Sequence, residues 1–438
     1  MRRSKLLTLM IVAALALTAF GAPLAQAQSD DFDWRQFEGT TIRVLWPNLS
    51  WTDFIMEKLP EFQELTGINV QMETFVEDQL RQRLTIELTA GGSEIDIFGS
   101  MTIQEGFKYH QAGWYTTLDD LLTDPTLTHP DFDLEDFTDG AIALATVEGD
   151  LIGIPVYADA QIMFYRKSVL EAAGLEVPTT LEELEEVAAA LTDPDNQFYG
   201  WLNRGKGAAA TSAFSSVLYS MGGAWQDEEG NPAINSPEAV AAFEWWGESL
   251  RNYGPPGAVN NSWVENLQLF TSGHGALWPE SGQAAATVLD PEQSQVADDV
   301  GFALVPAGKG GSRPYAYGWV MSIPPNAPNR GAAWLFIQWA LSKDNQLEAL
   351  LRGIPAGRAS AWESPVFAES DPHPELTRVM LQSLENAHAY MNPHIVNVQP
   401  WRDAVGQVIV TAIEGGDVQA AIDQAMVTLE ELVASERQ

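Results

Sequence analysis

Cysteine is missing from all 438 residues. That excludes disulfides, thiolate metal sites, a thiol nucleophile and a lipid anchor carried on a cysteine. Bases are scarce: 23 Lys and Arg stand against 60 Asp and Glu, a formal net charge of −37. A surface of that sign repels nucleic acid and anionic membranes. Long apolar runs are also rare, and the one from Leu6 to Phe20 falls short of a bilayer span. It follows Arg2, Arg3 and Lys5 and precedes Ala25-Gln26-Ala27, so residues 1–27 read as a cleaved signal peptide. Lys5 occupies a position where a twin-arginine signal prefers an apolar residue, which points to ordinary secretion. The mature chain is expected to begin at Gln28, in the periplasm or outside the cell, soluble and without a lipid.

Catalytic signatures are lacking as well. There is no G-x-S-x-G elbow, no H-E-x-x-H, no phosphate-cradling glycine loop and no dinucleotide fingerprint. The six histidines are scattered without metal-ligand spacing. Asp131 to Asp136 resembles a calcium loop but has no glycine at the turn, and a solvated acidic loop is the simpler reading. Two carboxylates can make a glycosidase, yet among 60 acids chance pairs are unavoidable. No catalytic residue, metal or cofactor is therefore expected, although a secreted carbohydrate-active hydrolase stays open as an alternative.

What is present is strand–helix alternation, the mark of an α/β sheet protein. Thr41 to Trp46 reads as a buried strand, followed by a helix with Ile55, Leu59 and Phe62 on one face and a restart or kink at Pro60. Asn69 to Glu73 is a second strand, Asp78 a helix cap, and Asp96-Ile97-Phe98 a third strand. Thr180 and Glu183 stand at capping-box spacing before an apolar face of Leu181, Leu184, Val187 and Leu191. Asn203 to Ala210 reads as a loop, Thr211 to Met221 as a helix, and Ala224-Trp225 as its resumption. Ala332 to Leu341 is a strongly apolar helix, and the last helix carries Val418, Ile422, Met426, Leu429 and Val433 in register.

The stretch from Leu151 to Leu170 organises the chain. A short apolar strand from Leu151 to Ile154 meets Pro155, then come Tyr157 and Asp159, a second apolar run from Ile162 to Tyr165, and a helix start at Ser168. On these residues alone it is either a passage between two domains or a bent edge strand. Gly153, Pro155, Tyr165-Arg166-Lys167 and Ala173-Gly174-Leu175 resemble landmarks of the extracellular solute-binding proteins of sugar ABC importers. So do Phe270 to Trp278, Val300 to Ala303, Tyr317-Gly318-Trp319, Ala332 to Trp339 and Gly353 to Arg358, in the same order and over essentially the whole mature chain. Gly254 to Gly257 with Asn261-Ser262-Trp263 looks most like the polyol and small-oligosaccharide branch.

That resemblance implies a two-lobed periplasmic-binding-protein type II fold, each lobe a central mixed sheet flanked by helices, with about three hinge crossings. The implied lobes are 28–156 with 318–351, and 157–317 with 352–438. The implied function is capture of a sugar, polyol or small oligosaccharide in the interlobe cleft and delivery to the permease subunits, by a protein expected to be a monomer. A non-sugar ligand such as a glycerol phosphodiester is the other alternative, disfavoured by so few bases. A sugar site needs flat rings against C–H faces and fixed polar groups for hydroxyls. The chain has 15 Trp, many after strands. The candidate ligand contacts are Trp46, Asn48, Trp51, Asp78, Asp96, Tyr157, Asp159, Trp201, Trp278, Gly318, Trp319 and Arg358. For Asp78 and Asp96, helix capping competes with that role; for Arg358, pairing with a surface acid does.

Overall fold

The computed structural model describes residues 32–91, 94–388 and 391–437; the signal peptide expected at 1–27 lies outside them. Two five-stranded sheets carry the architecture. In chain order their strands are β1 (Thr41–Pro47), β2 (Asn69–Phe75), β3 (Ile97–Ser100), β4 (Ile154–Pro155), β5 (Asp159–Arg166), β6 (Tyr199–Trp201), β7 (Gly275–Ser281), β8 (Val300–Ala303), β9 (Ala316–Tyr317) and β10 (Val320–Ser322). The first sheet runs β2-β1-β3-β10-β4, with β1 parallel to β2 and β3 and β10 antiparallel to both neighbours. The second runs β8-β5-β7-β6, with β9 paired to β5. Both sheets are mixed and flanked by helices, as expected for parallel pairs that need helical crossovers.

The helices that matter for the site are α1 (Ser50–Thr66), α2 (Glu77–Thr89), α3 (Leu181–Leu191), α4 (Gly207–Ser220), α5 (Arg330–Ala340), α6 (Pro374–Asn386) and α7 (Val398–Glu414). Helix α1 buries Trp51, Phe54, Ile55 and Phe62 on one side and runs unbroken through Pro60. Pro60 and Met56 are both exposed, so water can take the carbonyl that the proline leaves without a donor. Helix α3 has the capping box expected of Thr180 and Glu183. Asp78, in contrast, lies inside the first turn of α2 behind the cap residue Val76, where its charge still favours the helix N-terminus.

Three other expectations shift. Leu151 to Ile154 is two pieces: Asp150–Leu151 closes a hairpin on Thr146–Val147, and β4 joins the first sheet as an edge strand, where Pro155 gives up no ladder bond. Helix α4 starts at Gly207, so only residues 203–206 form the loop. Ala224 and Trp225 are not helical; Trp225 reaches Phe214 of α4 from a loop, ring centroids 5.9 Å apart.

The chain passes between the sheets side by side at Val156–Ala158 and at Gly318–Trp319. The Val156 N–H donates to the Trp319 carbonyl at 2.8 Å, and Tyr317 pairs with Asp159. A Cβ on Gly318 would stand 2.4 Å from the Tyr157 carbonyl oxygen, so only glycine lets these strands approach. Residues 352–370, expected with the second lobe, pack instead with the first sheet's helices. Ala356, Ala361 and Phe367 cluster with Leu350, and Arg358 binds residues 132–136. The chain reaches the second sheet only at α6, whose Val379 and Met380 pack in the cluster of Phe164, Trp278 and Phe302. No helix of the described residues is long and apolar enough to cross a membrane.

Candidate functional site

Three tryptophans from separate elements of the first sheet's side converge. Trp46 is the penultimate residue of β1, Trp51 lies in the first turn of α1, and Trp319 follows Gly318 just before β10. The Trp46 and Trp51 ring centroids are 5.3 Å apart, and those of Trp46 and Trp319 6.2 Å. All three rings are buried, and none of their indole N–H groups has a hydrogen-bond partner. A buried donor left unmade costs about 1–3 kcal/mol. Trp201, Trp246, Trp278 and Trp401 also have unpartnered indole N–H groups, so what sets this place apart is the convergence of three such rings.

Charged groups border this aromatic wall. The Arg81 guanidinium of α2 stands 5.9 Å from the Trp319 ring centroid. It pairs with Glu105 at 3.1 Å and with Glu77 and Asp78 at 3.3 Å each. Burial works against the charge on Arg81, but these carboxylates outweigh it and raise its pKa. Glu105, buried itself, accepts the Met101 N–H at 2.6 Å and the Ser100 hydroxyl at 3.2 Å. Arg81 therefore cannot swing away freely.

The facing side is built on β5, β7 and β9. Asp159 is fully buried and accepts from Ala160 N–H at 2.9 Å, Gln283 N–H at 3.3 Å and the Ser281 hydroxyl. Burial pushes its pKa up to about 6 despite these donors and the Tyr317 hydroxyl. Gly282 makes the approach possible, since a Cβ there would lie 2.8 Å from the Asp159 carboxylate. The Tyr157 hydroxyl and the Gln283 amide nitrogen lack a partner of good geometry. Next along, Glu280 takes the Arg204 Nε–H at 2.8 Å and the Tyr315 hydroxyl at 2.9 Å, and Arg204 donates to Ser212 at 3.1 Å. Arg402 of α7 donates to Thr211 at 3.0 Å and to the Ala208 carbonyl at 2.8 Å. Asn392 spans the two sides through an N–H bond of 3.2 Å to the Ile103 carbonyl, and His394 meets Phe107 at 5.4 Å between centroids.

Of the residues singled out from sequence, Trp46, Trp51, Tyr157, Asp159, Gly318 and Trp319 lie together here. Asp78 stands at the rim, exposed and paired to Arg81. Asn48 is exposed, its backbone N–H bonded to the Phe75 carbonyl. Trp201 is buried beside the site, lining a cavity of about 20 Å³ with Gln161, Asn203 and Val217. The structure does not bring the other three to the cleft. Asp96 is spent on the Arg43 and Asn329 backbone N–H groups, at 2.9 and 2.8 Å. Trp278 packs on Phe164 and Phe270 in the second sheet's core. Arg358 is buried between Phe132 and Phe137, donating to the carbonyls of Phe132, Asp133 and Leu341 and to Asp136.

Sequence reasoning missed Arg81, Glu105, Arg204, Glu280, Ser281, Gln283, Tyr315, Tyr317 and Arg402. Two signals were available. Glu280-Ser281 directly follows Trp278-Pro279 at a strand end, and arginines are rare enough here to be worth weighing one by one. Among the described residues no group of His, Asp or Glu is placed to hold a metal.

Residues 48–347 match the bacterial extracellular solute-binding protein family. The chain is 31% identical over 403 residues to a mannitol-binding protein of Pseudomonas aeruginosa, covering 87% of this chain and 89% of that one. Among solved structures, an ABC transporter solute-binding protein of Agrobacterium radiobacter in complex with ribitol superimposes with a TM-score of 0.81 at 28% identity, over 90% of this chain and 99% of that chain. One from Agrobacterium vitis with bound D-mannitol gives 0.78 at 29% identity, with the same coverage. The two sheets are accordingly the two lobes of a type II periplasmic-binding-protein fold, and the chain belongs to the bacterial extracellular solute-binding protein family.

Proposed function

We propose that this protein captures a sugar or polyol between its two lobes and delivers it to the permease of an ABC importer. The observation that carries the reading is the pairing of unpartnered donors with fixed acceptors. Indole N–H groups of Trp46, Trp51 and Trp319 stand on one side and the buried Asp159 carboxylate on the other. A hydroxyl both donates and accepts, so a polyhydroxylated ligand matches such a lining, while its C–H faces suit the rings. The ligands named for the relatives, mannitol and ribitol, are of this class. Trp46, Trp51, Tyr157, Asp159 and Trp319 are the contacts we assign, with Arg81 beneath Trp319.

The lobes divide at 156–158, at 318–319 and between Phe367 and Pro374, and these crossings act as the hinge. The protein works as a cofactor-free, non-catalytic monomer, exported by cleavage after Ala27 and left without a lipid. Thermal-shift screening of sugars and polyols, followed by calorimetric titration, tests the function. One-to-one binding of a polyol or sugar is the expected result. Turnover of a glycoside, or no stabilisation by any hydroxylated solute, would overturn it. Intact mass of the exported protein tests the processing, with Gln28 expected as the first residue.

A further inference from the structure

A single π-helical turn, Thr102–Gly106, follows β3, and turns of this kind recur at functional sites. The Thr102 hydroxyl ties it to the Leu144 carbonyl. Its fourth residue is Glu105, whose side chain folds back into the first lobe and is 5% exposed. One carboxylate oxygen accepts the Met101 N–H at 2.6 Å and the Ser100 hydroxyl at 3.2 Å, and the other accepts the Arg81 Nε–H at 3.1 Å. Ser100 also shares a 2.6 Å hydrogen bond with the Tyr115 hydroxyl. A carboxylate can only accept, so Ser100 donates to Glu105 and Tyr115 donates to Ser100. Donors from β3 and from the chain beyond it thus pin the carboxylate before it meets Arg81.

Arg81 has two other acid partners, Glu77 and Asp78. Both lie on its own helix with side chains 36% and 88% exposed, where water competes for the bond. Of the three, Glu105 alone is buried and alone comes from another element. It therefore decides where the guanidinium stands, 5.9 Å from the Trp319 ring centroid. We infer that Glu105 is a positioning residue for the ligand site. It makes no ligand contact itself and acts by holding Arg81 against the Trp319 ring. A guanidinium that drifts away gives up the cation–π contact and leaves the ring free to tilt. The series Tyr115, Ser100, Glu105, Arg81, Trp319 then carries rigidity from the first lobe's core to the aromatic wall. This inference rests on the carrier reading above.

The test is a double-mutant cycle on the full mature chain, read by calorimetric titration with D-mannitol, ribitol and maltose. Fluorine NMR of fluorotryptophan-labelled protein without any probe runs beside it, and Trp319→Phe identifies the Trp319 signal among the 15. Glu105→Gln keeps the shape and the acceptor for Met101 but can turn an N–H toward Arg81. It should weaken binding of whichever probe wild type takes up by about tenfold. Arg81→Met should lose at least as much, and the double variant no more than Arg81→Met alone. Without a probe, both single variants should displace the Trp319 signal. Should Glu105→Gln not fold by circular dichroism, Ser100→Ala replaces it, removing a donor to Glu105 and leaving Arg81 in place. Its smaller loss should likewise vanish in the Arg81→Met background. Losses that add, or a Trp319 signal moved by Arg81→Met and not by the Glu105 or Ser100 variant, would overturn the role of Glu105 and leave the carrier reading standing. If wild type binds no probe, the carrier reading falls, and the fluorine signal alone decides whether Glu105 places Arg81.

Discussion

At the scale of single residues, burial alone does not separate a ligand contact from a core residue, because every tryptophan at issue is buried. What separates them is the company each ring keeps, since the core Trp278 has an unpartnered indole N–H as well. Trp319 has Arg81 on one face, Trp46 near another and an unpartnered N–H. Its truncation to alanine should weaken polyol binding by about 2–4 kcal/mol. A variant that binds normally but melts much earlier would make the ring structural. Asp159 gives a second test through pH. Its folded pKa, about 6, lies above the ordinary 3.8 of an aspartate. The folded protein therefore holds a proton that the unfolded chain has lost, and this group's contribution to stability falls as pH rises through that window. The loss is on the order of 2–3 kcal/mol. Denaturant titrations of wild type and Asp159→Asn at several pH values should differ by that slope, and parallel pH profiles would count against it. Trp319 and Asp159 were legible as candidates because Trp319 follows Gly318 and Asp159 comes shortly after Pro155. Arg81, Arg204 and Arg402 could not, since their convergence depends on which helix faces which across a cleft that no local pattern encodes.

At the scale of elements, the sequence was most legible where one local rule acts alone. The capping box of Thr180 and Glu183 and the apolar face behind it specify α3 without tertiary help. The segment around Arg358 shows the opposite case. Its Gly-Ile-Pro-Ala-Gly-Arg pattern marks a bend correctly, but an arginine next to a bend says nothing of where the guanidinium points. In the fold it sits between Phe132 and Phe137, 4.1 Å from the latter's centroid, and ties residues 132–136 to the end of the α5 segment through Leu341. Removing it leaves three carbonyls and the Asp136 carboxylate without their shared donor. Arg358→Ala should therefore cost about 3–5 kcal/mol of stability. Polyol affinity, measured below the lowered melting point, should be unchanged. A large affinity loss with intact stability would return Arg358 to the site.

At the scale of the whole molecule, α/β alternation and secretion could be read from the residues, while the two-lobe plan needed the long-range order of landmarks. The contacts that join the lobes across the cleft were invisible beforehand. Asn392 reaches the Ile103 carbonyl and His394 meets Phe107, and nothing in either local sequence points to the other. These contacts supply a measurement of closure that is independent of the binding residues. If the lobes close on a ligand, amide hydrogen exchange at 102–107 and at 391–397 should slow together when a bound polyol is added. Helix α5, fully enclosed in the first lobe's core from Ala332 to Ala340 and remote from the cleft, should exchange at the same rate with or without it. The coupling of two segments nearly 300 positions apart is the informative part, because the bond between them joins parts of the chain that no local element connects. Protection confined to one lobe would mean a ligand bound to an open or rigid pocket, and the hinge we propose at 156–158 and 318–319 would be withdrawn.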